Sequence, residues 1–219
     1  MSTAPKRPPE PFAPWAEIVY GADPVAVEDL LDWPDDGYRY EVVEGVLVRV
    51  ADSGFDATTI GGNVYAALRA FALPRRLGIP TPADGVYKFV GAETGLLPDV
   101  GFVEASRAPL IVDRSKPIPF APDLAAEIAS PDQTASDMAA KAQCYLQGGT
   151  RLVWVLWPGR QEVDVWRPAD LRARYQDMRP SATLDADGAL DGEDIVPGFS
   201  LDIADAFADP LAGLYRSQV

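Results

Sequence analysis

PDLAAEIASP, residues 122–131, is the stretch on which the reading of this chain turns. From Asp123 to Ala129 it alternates with period two, so Leu124, Ala126 and Ile128 share one face of a predicted strand and Ala125, Glu127 and Ala129 the other. Glu127 thus interrupts an apolar strand, where a carboxylate is unfavourable unless it is paired or bound to a cation. Its same-face neighbours are alanines, small enough to leave room for an ion, a water or a phosphate. A salt-bridged structural glutamate is the alternative.

Downstream, the spacing predicts a helix from Thr134 to Gln147, stopped by Gly148-Gly149. Ala135, Met138, Ala142 and Leu146 centre its apolar stripe, and Lys141 falls on the stripe's edge, one turn after Asp137. Two readings stand. Asp137 and Lys141 form a surface pair at i, i+4, or the lysine lies along the sheet and delivers its ammonium to a strand carboxylate. LVWVLW, residues 152–157, then reads as a strand covered on both faces.

Upstream, Pro98 to Val103 is a predicted strand opened by Asp99, which is either a strand-start residue or a carboxylate at the sheet edge. Val86 to Val90 is another strand, and Ile111 to Pro122 a proline-broken loop. Asp56 to about Leu77 has helical spacing (Ile60, Val64, Leu68, Phe71), with Gly78 as the stop. Tyr40 to Val50 predicts a hairpin turning at Glu44-Gly45. Glu44 reads as a turn residue, whereas Glu41 could face the sheet's polar side. Pro158-Gly159 predicts a second hairpin, and the tail short strands with a last helix near Ile203 to Phe207. Five prolines within residues 1–20 predict an extended leader, and Asp23-Pro24 a helix start running to about Trp33. The expected architecture is α/β, a mixed sheet with flanking helices: leader 1–20, one domain over 21–210 and a tail over 211–219.

Composition narrows the chemistry. There is no histidine and one cysteine, Cys144, in 219 residues. This excludes a Ser-His-Asp triad, a Cys-His pair, histidine-ligated zinc and an internal disulfide. Acid–base or metal chemistry must use carboxylates, lysine, tyrosine or water, and carboxylate sites favour magnesium or manganese. The N-terminus lacks the apolar segment of a secretory signal, and no stretch approaches the ~20 apolar residues of a membrane helix. A cytoplasmic protein is the expectation. The net charge of −14 argues against a general nucleic-acid binder. The acidic excess is concentrated after Pro180, so a basic face drawn from Arg69, Arg75, Arg76, Lys88, Arg107, Arg114 and Lys116 remains open.

Taken together, YEVVEG (40–45), LPDVGFVE (97–104), PDLAAEIASP (122–131), Asp137-x-x-x-Lys141 with Tyr145, GGTRLVWVLWP (148–158) and VPGFSLDIADAF (196–207) resemble the Uma-two family of restriction endonucleases, a branch of the PD-(D/E)XK nuclease superfamily. The resemblance spans roughly Pro24 to Phe207 and implies a restriction-endonuclease-like core with added hairpins. It further implies a magnesium- or manganese-dependent cut of a nucleic-acid phosphodiester, most readily DNA, and a homodimer. Asp99 and Glu127 would be the metal ligands. The lysine expected two residues after the glutamate is absent, since Ala129 stands there, and Lys141 would replace it from the following helix. Glu41 would be the extra acid near the first strand. A histidine common early in the family's second helix is here Ala57. The competing readings are an inactive member of the same fold that binds a protein partner through its acidic surface, and, last, a glycosidase using Asp99 and Glu127, which an adjacent lysine disfavours by lowering both pKa values.

Overall fold

The computed structural model describes residues 13–19, 24–51, 54–209 and 211. Most of the leader, Asp23 and nearly all of the 211–219 tail lie outside these residues. The last part of the leader does belong to a sheet. Past Pro14 the prolines stop, and β1 (Glu17–Ile18) pairs antiparallel with Arg49 and Val48. The helix expected from Pro24 is a 3₁₀ helix over Val27–Asp32, its first turn closed by the Ala26 amide donating to Asp29 at 3.0 Å.

The first hairpin forms as its turn residues require. Strands β2 (Arg39–Val43) and β3 (Val46–Val50) flank Glu44 and Gly45, both at positive φ, 50° and 77°. Two positive φ values in a two-residue loop match the right-handed twist of the strands. Helix α1 spans Phe55–Arg75. It ends not at Gly78 but at Arg76, which takes the left-handed conformation itself, its amide bonding back to Leu73. Gly78 opens β4 (Gly78–Pro82), a strand its two prolines conceal. It is glycine for close packing: a Cβ there would stand 2.3 Å from the Val103 carbonyl oxygen.

Short strands β5 (Tyr87–Lys88) and β6 (Gly95–Leu96) replace the longer strand read over 86–90. The main run follows: β7 (Val100–Glu104), β8 (Leu124–Ile128), α2 (Ala135–Gln147), β9 (Leu152–Trp157), β10 (Glu162–Trp166) and β11 (Ala182–Leu184). The tail adds the pair β12 (Ala189–Asp191) and β13 (Ser200–Asp202) and helix α3 (Ile203–Ala206).

Two larger sheets result, in the orders β1-β3-β2-β6-β5 and β11-β10-β9-β8-β7-β4. β8 and β9 are parallel, joined through α2, and the other pairings in the six-stranded sheet are antiparallel. This is the mixed α/β architecture the sequence predicts. The six-stranded sheet is buried on both faces. Leu124, Ala126, Ile128, Leu152, Trp154 and Leu156 pack with Ile60, Val64 and Leu68 of α1. The opposite face, with Ala125, Ala129, Val153 and Val155, packs with Met138, Ala142 and Tyr145 of α2 and with Val43 and Val48 of the five-stranded sheet. Glu127 belongs by alternation to this second face, inside the layer between the sheets. Among the described residues, no helix is long and apolar enough to cross a membrane.

Candidate active site

Three carboxylates and one ammonium meet in that layer. Glu41 comes from β2, where its pairing with Val48 puts it on the face turned toward α2. Glu127 comes from β8 and Lys141 from the middle of α2. All are buried, with exposures of 0% (Glu41), 4% (Glu127) and 6% (Lys141). The lysine Nζ lies 2.9 Å from Glu127 Oε2 and 3.3 Å from Glu41 Oε1. Tyr145, one helical turn after Lys141, donates its hydroxyl to the other Glu127 oxygen at 2.6 Å. Both oxygens of Glu127 are thereby fixed from one helix. Glu41 also accepts the Leu97 amide at 3.1 Å and the Trp15 indole N–H at 3.1 Å.

Asp99 stands at the rim. β7 and β8 pair as far as Val100 opposite Ala126, and Asp99 lies in a bend just before that ladder, close enough to Glu127 for the two charges to interact. Its Oδ2 accepts the Ile128 amide at 2.8 Å. Asp99 is only partly buried, and it lines a surface cavity of ≈ 490 Å³ with Arg39, Ala57, Gly61 and Asp84. The site therefore has a closed end, at Glu41 and Lys141, and an open one, at Asp99. Ala57 and Gly61, one turn apart on α1, form the wall facing the open end.

The electrostatics follow from burial and from the excess of carboxylates. Burial pushes Glu127 up to about 7; Lys141 pulls its pKa down, and Asp99 and Glu41 push it further up. Burial likewise raises Asp99, against the pull of Lys141 and the Ile128 amide. Burial alone would lower Lys141, but Glu127, Glu41 and Asp99 together hold its pKa above the ordinary value, so it remains an ammonium. Burial and the Glu127 carboxylate keep Tyr145 a neutral donor. With every carboxylate ionised the cluster carries three negative charges against one positive.

That formal excess of two negative charges suits a divalent cation. Each Glu127 oxygen keeps a lone pair beyond its one hydrogen bond, and Asp99 faces the cavity. Among the described residues no group of three or more cysteine or carboxylate side chains is placed to hold a metal by itself. Two carboxylates with water and substrate oxygens match the way magnesium is commonly bound. Asp99 and Glu127 are the residues that could hold such an ion.

Asp99, Glu127, Lys141 and Glu41, singled out in the sequence, are brought to one place. Tyr145 and Trp15 were not singled out as site residues. The i+4 spacing of Tyr145 from Lys141 signals a shared helix face, whereas nothing local links Trp15 to Glu41. Among the described residues, none of the bases considered for a basic face lines the cavity at Asp99. Lys88 is held by Glu28 and Glu93 at 2.8 and 3.3 Å, Arg107 by Asp123 at 2.7 Å, and Arg75 lies over the Phe71 ring. The cation lining the cavity is Arg39, 3.4 Å from Asp84.

Comparison with known proteins bears on the fold and on the family. The chain resembles the crystal structure of a "putative nuclease belonging to DUF820" from Anabaena variabilis ATCC 29413, with a TM-score of 0.67 and 22% identity over 84% of this chain and 98% of that one. At that identity the likeness establishes the fold, which is restriction-endonuclease-like. No curated protein matches the chain. A family model described as "Putative restriction endonuclease" matches residues 27–204, which contain Glu41, Asp99, Glu127, Lys141 and Tyr145. The chain belongs to this family, Uma2, a nuclease family whose substrate class is nucleic acid.

Proposed function

We propose that this chain is a metal-dependent endonuclease that hydrolyses phosphodiester bonds of nucleic acid, DNA in the first instance, with magnesium or manganese as cofactor. The observation that carries the proposal is the placement of Lys141, its ammonium 2.9 Å from Glu127 and close enough to Asp99 for the two charges to interact. A lysine beside one acid and within electrostatic reach of a second is the equipment that hydrolysis of a phosphodiester requires. A divalent cation bound there would supply Lewis acidity toward a phosphoryl oxygen and a more acidic bound water.

The chain's own residues do the rest. Asp99, at the open end, and Glu127, behind it, orient the cation side of the site. Lys141, fixed by two carboxylates, orients the attacking water and offsets negative charge that develops on the phosphoryl group. Tyr145 holds Glu127 in one rotamer, so that Lys141 does not have to. A homodimer would present two such sites, one to each strand of a duplex. The single cysteine suits the reducing cytoplasm.

The experiment is a cleavage assay on single- and double-stranded DNA and RNA with magnesium or manganese, alongside Asp99→Ala. Metal-dependent cleavage that this substitution removes supports the reading. A second reading, an inactive family member that binds a protein partner, draws on the absence of those bases from the cavity lining and on Ala57. Absence of cleavage on all four substrates would favour it.

A further inference from the structure

We infer that Trp15 is a positioning residue of this site, whose indole N–H fixes the Glu41 carboxylate and thereby the place of Lys141; the inference rests on the nuclease reading. Glu41 divides its two oxygens unequally. Oε1 receives both the Leu97 amide and Lys141, and Oε2 receives the Trp15 indole at 3.1 Å. Glu41 is fully buried and Trp15 is 7% exposed, so water is a poor substitute donor. A carboxylate that loses a buried donor is no longer held in one orientation and turns to recover a partner. As Glu41 turns, its Oε1 loosens its hold on Lys141, and the ammonium is freer to move and to react.

The backbone explains how a residue so far from Glu41 in sequence arrives there. Ile18 pairs with Val48, and Val48 pairs with Glu41, so β1, β3 and β2 align across one row. A turn closed by the Ala16 amide on the Ala13 carbonyl at 3.0 Å then bends the chain, and Trp15 is buried against the cluster that contains Tyr145. Trp15 precedes the segment matched by the family model, which begins at residue 27. This support is thus supplied by chain outside the matched core.

The test uses the full-length protein and Trp15→Phe, which keeps an aromatic ring and removes the donor. Lysines are labelled competitively with acetic anhydride and read by mass spectrometry, with Lys88 and Lys116 as internal references and Glu41→Gln as the positive control. Lys141 in Trp15→Phe should label about tenfold faster than in the wild type, the scale of one lost hydrogen bond to a charged group. The references should be unchanged and Glu41→Gln should behave likewise. In the cleavage assay kcat should fall about tenfold with KM unchanged. Unchanged labelling at Lys141 overturns the proposal. So does a uniform rise over all lysines, which would assign Trp15 to the fold alone. Should the wild type cleave nothing, the nuclease reading fails, and the labelling still decides whether Trp15 places Lys141.

Discussion

Asp137 lies one turn before Lys141 on α2, yet its carboxylate is turned to Thr134. It accepts the Thr134 amide and hydroxyl, each at 2.8 Å, while its own amide donates to the Thr134 hydroxyl at 3.2 Å. The acid a surface reading would pair with the lysine is a helix cap. Lys141 is thereby left to the carboxylates of the two sheets.

Asp137→Asn and Lys141→Met should therefore separate. Asp137→Asn should weaken the cap by roughly 1 kcal/mol and leave cleavage within about twofold. Lys141→Met should lower kcat by about a hundredfold, the usual effect of losing one transition-state stabiliser. It also strands two buried carboxylates, so a stability loss of about 3 kcal/mol is expected near pH 8. Kinetics at a temperature well below both melting points, with chemical denaturation alongside, check the pair of outcomes. Equal kcat in wild type and Lys141→Met would remove the lysine from the mechanism.

Asp99→Asn should act on the cation and not on the fold. The amide oxygen can still accept the Ile128 N–H that Asp99 Oδ2 now accepts at 2.8 Å, while the charge at the open end is gone. Isothermal titration should show magnesium affinity falling by about tenfold or more, with a melting temperature close to wild type. Unchanged magnesium affinity would take Asp99 out of the ion's coordination.

The pH dependence follows from Glu127. Its pKa rises from the ordinary 4.5 to about 7 on folding, chiefly through burial. The folded state therefore holds this proton more tightly than the unfolded one. The stability linked to it is fully present below about pH 4.5 and is lost as pH rises through about 7. The loss is on the order of 3 kcal/mol. Without added metal, unfolding free energy should decline from pH 5 to pH 8, and magnesium at pH 8 should restore part of it. Glu127→Gln should flatten that decline. A wild-type profile rising across this window would contradict the assignment.

Ala57→His tests the wall of the cavity. Position 57 borders the same cavity as Asp99, one turn before Gly61, whose built Cβ would lie 3.9 Å from the Asp99 Cβ. A histidine there has room in the cavity and can hydrogen-bond a phosphate or water beside Asp99. Cleavage by Ala57→His should exceed that of wild type by about tenfold or more, within the range of one added acid–base group. A rate equal to or below wild type would show that position 57 does not limit the reaction.

How much of this was legible depends on how local each signal is. The alternation around Glu127 and the apolar run 152–157 correctly gave β8, β9 and their two-sided burial, because period and composition act within one element. The stripe-edge position of Lys141 left two readings open, a pair with Asp137 and a reach toward the sheet. Strand β4 was missed because Pro80 and Pro82 carry the composition of a loop, and a strand at a sheet edge tolerates them. Whether those bases reach the site was not legible, because a count of arginines and lysines does not say which are engaged. Lys88 is held by Glu28 and Glu93, far from it in sequence. Trp15 could not be found at all, since its contact with Glu41 exists only through the register of three strands.

The prolines of β4 bear on assembly. The Ala105 amide donates to the Leu77 carbonyl at 2.9 Å, and Gly78 lies opposite Glu104. Antiparallel ladders alternate, so the odd residues Leu77, Ile79 and Thr81 turn their polar groups to β7, and Gly78, Pro80 and Pro82 turn theirs outward. The two prolines fall on the outward positions, where they remove no bond from the ladder and leave the free edge short of donors. Another strand, from a second copy or from an aggregating chain, finds little there to pair with. Two copies that associate must therefore meet through some surface other than a sheet continued across β4.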